Sequence, residues 1–274
     1  MKWLPRGAIF VFLLFSLGAR YFSSSFIGGR FVVITVWRVI RILAFMAYCL
    51  RDYAWAALKG PAQSRETIDR LFVEWGFYLL KVFKVDLRVS GREHLSAERD
   101  APRVYLCNHN SWLDIPVMTA GTAEGVGFVA KKELGRIPLL AFWMRAVGCV
   151  FIDRSNSSSA RRTLEQAART VGDRPLVVFP EGTRSKTGKR LPLKMGGMRM
   201  ALLAGARIIP AHIHNSRAAY EAFDPKGPQP LPVDLRFFPP METKGMPDEK
   251  ASWNAIKDYV EKCWDEAEAD LNKK

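Results

Sequence analysis

The chain is short of acid: 27 Asp and Glu face 41 Lys and Arg in 274 residues, leaving a net charge of +14. The first sixty residues show the imbalance most, with Lys2, Arg6, Arg20, Arg30, Arg38, Arg41, Arg51 and Lys59 against Asp52 alone. Such a balance favours anionic partners. Arginines set among Phe, Val, Ile and Trp suit an anionic bilayer surface and argue against nucleic acid. Paired cysteine is also lacking. Cys49, Cys107, Cys149 and Cys263 have no short spacing and sit mostly in apolar runs, which excludes a zinc knuckle or a disulfide framework and reads as buried free thiols in a reducing compartment. His212 and His214 would share one face of a strand, yet no nearby Cys or third His completes a metal site, so no metal is expected. No Gly-x-Ser-x-Gly segment supplies a serine nucleophile. The run between Arg6 and Arg20 offers only thirteen uncharged residues, Gly7 to Ala19, where a bilayer span needs ~20. Leu17 spoils the small-x-small rule for a cut after Ala19, so the segment reads as an uncleaved anchor.

What is present is apolar and periodic. With 49% hydrophobic residues the chain can bury one large α/β core plus an appendage. Arg30 to Lys59, bracketed by Gly28-Gly29 and Gly60-Pro61, reads as a helix. Its charges fall in a sector about 140° wide, as in a helix lying in the membrane interface; a tilted span with snorkelling arginines and a soluble core helix are the alternatives. A second helix is expected from Ser64 to about Lys84, forming a hairpin with the first. From residue 85 short apolar runs alternate with helices: Val85–Val89, Val104–Cys107, Gly127–Ala130, Cys149–Ile152, Leu176–Phe179, Ile208–Ile213 and Val233–Phe238. That alternation predicts an α/β fold, a largely parallel mixed sheet flanked by helices. Residues 1–84 would be the membrane-associating helices and 85–274 the α/β domain. The six prolines between Pro225 and Pro240 suggest a loop around an edge strand. From about Asp248 a packing helix is expected, with Trp253, Ile256, Val260, Trp264, Ala267 and Leu271 at helical spacing.

Chemistry gathers in a few segments. Asn108-His109-Asn110-Ser111-Trp112-Leu113-Asp114 sets a histidine and a carboxylate five residues apart after an apolar run. The imidazole can take a proton near neutral pH, and the carboxylate can fix its tautomer. A chance His-x4-Asp is expected only about 0.2 times in such a chain. Ser111 to Asp114 also fits a capping box that starts a helix, and the two readings are compatible. Phe179-Pro180-Glu181-Gly182-Thr183-Arg184-Ser185 follows a strand, at the carboxyl end where open α/β sheets place ligands. Arg184 there can hold a phosphate through paired hydrogen bonds, or lie solvated beyond a simple turn. Lys131-Lys132-Glu133-Leu134 reads either as a solvated helix end or as part of an anion pocket.

In this order the segments resemble the glycerolipid acyltransferase family, the lysophosphatidic acid (1-acylglycerol-3-phosphate) acyltransferases and their relatives. The likeness covers about residues 85–215: Asn-His-x4-Asp at 108–114, Lys-x-Glu-Leu at 131–134, Phe-Pro-Glu-Gly-Thr-Arg-Ser at 179–185, Lys194-x-Gly196 and Ile209-Pro210. The resemblance implies a membrane enzyme at the cytoplasmic face of the inner membrane. It would move a fatty acyl group from acyl-CoA or acyl carrier protein to a lysophospholipid hydroxyl and give phosphatidic acid, without cofactor. His109 would be the general base and Asp114 its orienting partner. Glu181, Gly182, Thr183 and Arg184 would bind the acceptor, with Lys131 as a second cation. A sister enzyme using a lyso-ornithine lipid or lysophosphatidylglycerol, a hydrolase, and a non-catalytic lipid binder are the competing readings.

Overall fold

The computed structural model describes residues 27–95, 101–153, 155–169, 171–172, 174–185, 187–221 and 230–271; the side chains of 27–39, 42 and 157 are outside this set. The anchor read at 7–19 therefore lies outside the described residues, as do the side chains of Arg30 and Arg38. Two compact units divide at Ala44: Met1–Ala44 and Phe45–Lys274.

Helix α1 spans Ile27–Leu58. It starts earlier than Gly28-Gly29 suggested and runs through both glycines, each of which costs a helix about 1 kcal/mol relative to alanine without ending it. No described helix is long and apolar enough to cross a membrane. Gly60, at φ 116°, makes the turn into α2 (Pro61–Val82), where Pro61 occupies the first turn and needs no N–H partner. In the larger unit the end of α1 lies antiparallel to α2. Phe45 stacks on Tyr78 at 4.6 Å, and Arg70 approaches Asp52 at 3.9 Å.

Seven strands follow: β1 (Val85–Ser90), β2 (Arg103–Cys107), β3 (Gly127–Lys131), β4 (Val150–Ile152), β5 (Leu176–Val178), β6 (Arg207–His214) and β7 (Leu231–Phe237). They form one sheet in the order β1-β7-β6-β2-β5-β3-β4, parallel throughout except where β6 meets β7. The helices between them are α3 (Asp114–Thr122), α4 (Pro138–Ala146), α5 (Ser157–Ala168), α6 (Met195–Leu203) and α7 (Ser216–Glu221), and α8 (Lys250–Leu271) closes the chain.

Side chains alternate across the sheet. Val104, Leu106, Leu176, Val178 and Ile208 meet Met198, Val260 and Trp264 of α6 and α8 on one face. Tyr105, Cys107, Val177, Ile209 and Ala211 meet Leu80, Val117 and Met118 of α2 and α3 on the other. Both faces are covered, which is why the central strands read as unbroken apolar runs.

The proline-rich stretch is corrected by the topology. Strand β7 is not an edge; it lies between β1 and β6. Pro232 is accommodated because pairing to β6 starts only at Asp234, so the missing N–H falls beyond that ladder.

Candidate active site

Strands β2, β5, β3 and β6 run parallel and bring their carboxyl ends to one edge of the sheet. There the chain places Asn108–Asp114, Phe179–Ser185, Lys131 and His214–Ser216 in turn.

His109 Nδ1 lies 2.8 Å from Asp114 Oδ2. Asp114 is wholly buried. An ionised carboxylate can only accept, so Nδ1 is the donor in this pair, and in the neutral imidazole Nε2 is then the nitrogen with the free lone pair. The ring stacks on Phe179 with centroids 4.0 Å apart, and the side chain is 14% exposed, enough to be reached from outside. Among the described residues nothing bonds Nε2. The same Asp114 oxygen accepts the N–H groups of Asn110 at 2.7 Å and Ser111 at 2.8 Å, while Ser111 Oγ accepts from Leu113 N–H at 3.1 Å. Asp114 thus holds the histidine and the loop's N–H groups together, while the helix begins after Leu113 without a side-chain cap, not with Ser111 as its cap. Asn108 fixes the loop from behind: its amide donates to Ile213 O at 2.8 Å and accepts from Ile213 N at 2.7 Å, an extra rung on β6.

Glu181 is buried, and its oxygens accept from the N–H groups of His109 (2.9 Å) and Leu191 (3.0 Å). Burial pushes its carboxyl above the ordinary carboxylate range, while those two bonds and His109 pull it down. Ser185 N–H donates to His109 O at 2.9 Å, so the turn after β5 grips the histidine's backbone from both sides. Gly182 takes φ +72°, and its N–H closes the turn onto Phe179 O at 2.9 Å, which leaves that N–H unavailable to an oxyanion. A β-carbon there would lie 2.8 Å from Lys194 Nζ. Thr183 is exposed. Arg184 carries its guanidinium 4.1 Å above the ring of half-exposed Trp112 and pairs with no carboxylate among the described residues. Lys131, at the end of β3, is exposed and paired with Glu133 at 3.3 Å; no contact joins it to Arg184. The cation set against the turn is Lys194.

Cys107 is wholly buried, and burial first, then Asp114 and Glu181, push its thiol far up, which disfavours the reactive thiolate. Among the described residues no cluster of His, Cys, Asp and Glu is arranged around a metal. His212 pairs instead with Glu268 at 3.5 Å.

Sequence reasoning passed over Ser216. Its hydroxyl lies 2.5 Å from Asp114 Oδ1, and the side chain is buried. The available signal was its place just after β6, on the same sheet edge as the histidine.

Comparisons with known proteins address the family and the fold. The family model described as Acyltransferase matches residues 86–214. A Mus musculus 1-acyl-sn-glycerol-3-phosphate acyltransferase alpha is 30% identical over 198 residues, covering 70% of this chain and 67% of that protein. The Haemophilus influenzae 1-acyl-sn-glycerol-3-phosphate acyltransferase is 32% identical over 181 residues, covering 63% and 72%. The chain spans about half to two thirds of the plant relatives: 50% of the Cocos nucifera protein, at 34% identity over 58% of this chain, and 65% of that from Limnanthes douglasii. In fold it matches the crystal structure of the 1-acyl-sn-glycerophosphate acyltransferase PlsC from Thermotoga maritima, with TM-score 0.65 at 24% identity over 86% of this chain and 98% of that one.

Proposed function

The chain belongs to the acyltransferase family, and we propose that it moves a fatty acyl group from an acyl thioester, acyl-CoA or acyl carrier protein, to the free hydroxyl of 1-acyl-sn-glycerol-3-phosphate. The observation that carries this reading is the imidazole of His109, held through Nδ1 by Asp114 with Nε2 unengaged, on the sheet edge that also presents Arg184 without a carboxylate partner.

In this reading the acceptor hydroxyl gives its proton to Nε2 as its oxygen attacks the thioester carbonyl carbon. The imidazolium is stabilised by buried Asp114. Collapse of the tetrahedral intermediate breaks the carbon–sulfur bond, and the departing thiolate takes the proton back. No resident cofactor enters these steps. Arg184 receives the phosphate, Lys194 adds positive charge beside the turn, and Glu181, Gly182 and Thr183 shape the turn that carries Arg184. The acceptor and product are lipids, so the enzyme works on a bilayer surface, at the cytoplasmic face of the inner membrane. In α1 the outward positions Arg51, Trp55 and Leu58 combine charge with apolar exposure, and Phe77 of α2 is likewise exposed.

The test is transfer from labelled acyl-CoA and acyl carrier protein to lysophosphatidic acid by wild type, His109→Ala and Arg184→Ala. Phosphatidic acid formed by wild type and lost in His109→Ala is the expected result. Activity on a lyso-ornithine lipid or lysophosphatidylglycerol that survives Arg184→Ala would replace the acceptor and keep the mechanism. Fatty acid released without acceptor would overturn transfer in favour of hydrolysis.

A further inference from the structure

We propose that Ser216 is a positioning residue of the acyl-transfer site, holding the carboxylate of Asp114 in the rotamer that fixes the tautomer of His109. The inference rests on the reading of His109 as the base. Residue 216 lies outside the stretch matched by the family model, which ends at 214.

The two oxygens of Asp114 are unequally supplied. Oδ2 accepts three N–H groups, from His109 Nδ1, Asn110 and Ser111. Oδ1 is bonded by the Ser216 hydroxyl alone among the described residues, at 2.5 Å. Both side chains are buried, so water does not stand ready to replace the hydroxyl. The hydroxyl donates to an anion in a low-dielectric setting, where such a bond is strongest and its loss is costly.

Placement of Ser216 is itself specific. Asn215 adopts φ 67°, turning the chain sharply after β6. Its O accepts the first helical bond of α7, from Ala219 N–H at 2.9 Å, and its amide donates to Pro232 O at 2.8 Å. The chain reversal and the start of α7 are therefore handled by Asn215. The hydroxyl of Ser216 is left to reach Asp114, 102 residues away in sequence. Asn108, through both of its bonds to Ile213, ties the other side of the histidine loop to the same end of β6. Strand β6 thereby sets the position of both members of the His–Asp pair: one through the backbone of the loop, the other through Oδ1.

Without Ser216, Oδ1 loses its partner. Rotation of the carboxylate to recover one weakens the bond to Nδ1, and the imidazole is free to exchange tautomers. Only the Nδ1–H form presents a basic Nε2, so the loss falls on turnover and not on acceptor affinity.

The experiment combines kinetics with nitrogen-15 spectra of histidine-labelled protein, the His109 signals being assigned by their absence in His109→Ala. In wild type the spectrum should report the Nδ1–H tautomer. Ser216→Ala should mix the tautomers and lower kcat about ten- to a hundredfold, the range of a hydrogen bond to a charged group, with KM for acceptor and donor changed less than about twofold. Ser216→Thr keeps the hydroxyl and should restore both signals, which separates loss of the bond from loss of the fold. Unchanged kcat and tautomer in Ser216→Ala would overturn the proposal. Tautomer mixing in Ser216→Ala together with full transfer by His109→Ala would leave Ser216 as the partner of Asp114 and remove instead the role of His109 as base.

Discussion

Glu181 holds the backbone N–H of His109 at 2.9 Å, from a turn 72 residues further along the chain. Its other oxygen holds Leu191 N–H, so the carboxylate acts as a brace between two loops, with one backbone N–H on each oxygen. Glu181→Gln replaces one acceptor by an NH2 that faces a backbone N–H. An unpaired buried N–H costs about 1–3 kcal/mol, and the urea midpoint should fall accordingly with unchanged slope. Transfer should lose kcat more than KM. A rise in KM at undiminished stability would instead make Glu181 an acceptor contact.

Arg184 owes its position to Trp112, since no carboxylate among the described residues holds it. A cation–π contact at an exposed site contributes about 0.5–1 kcal/mol. Trp112→Ala should therefore raise KM for lysophosphatidic acid only about two- to fivefold, and Trp112→Phe less. Arg184→Ala removes the charge itself and should raise it about ten- to a hundredfold. Combined, the two substitutions should do no more than Arg184→Ala alone, because the tryptophan acts through the arginine; additive effects in steady-state kinetics would show that Trp112 touches the acceptor directly.

How much of this was legible beforehand depended on the range of the interaction. The central strands were visible because burial on both faces writes a local apolar run, as in Val104–Cys107 and Leu176–Val178, and β1 and β7 because one inward face still spaces apolar residues along the strand. The proximity of His109 and Asp114 was visible because both lie on one short segment. The place of β7 was hidden, since strand order is decided by pairing with β1 and β6, and the prolines argued locally for an edge. That Glu181 braces backbone groups of His109 and Leu191 was hidden, because no side-chain motif reveals such partners. Ser216 was silent for the same reason of distance.

Helix α8 is fastened to the sheet by charge, and one of its carboxylates sets an acid limit. Glu268 faces His212 and accepts from Arg190 at 2.9 Å; these partners, His212 foremost, lower its carboxyl from 4.5 to about 2. A depressed carboxylate stabilises the fold fully above its unfolded value and loses that contribution as pH falls through the folded one. The window is thus from about pH 4.5 down to about pH 2. Glu268→Gln should be less stable than wild type at neutral pH, by less than about 1 kcal/mol because the group is half exposed and screened. Urea titrations should show that gap narrowing below pH 4.5; a gap constant with pH would mean that Glu268 contributes through packing alone.

Trp55 and Leu58 expose 64% and 82% of their surface near the end of α1, with Lys59 over the Trp55 ring at 5.4 Å. A soluble surface has no use for this pairing of large apolar groups with a cation, whereas a headgroup layer satisfies both at once. Burying such side chains contributes about 1.5–3 kcal/mol each, so Trp55→Glu with Leu58→Glu should weaken sedimentation with anionic vesicles at least about tenfold. The exposed positions carry no core contact, and the unfolding midpoint should stay near that of wild type. Transfer to lysolipid presented in vesicles should fall with binding, while transfer to a short-chain, water-soluble acceptor should persist. Equal sedimentation of the double variant and wild type would remove this end of α1 from the membrane-facing surface.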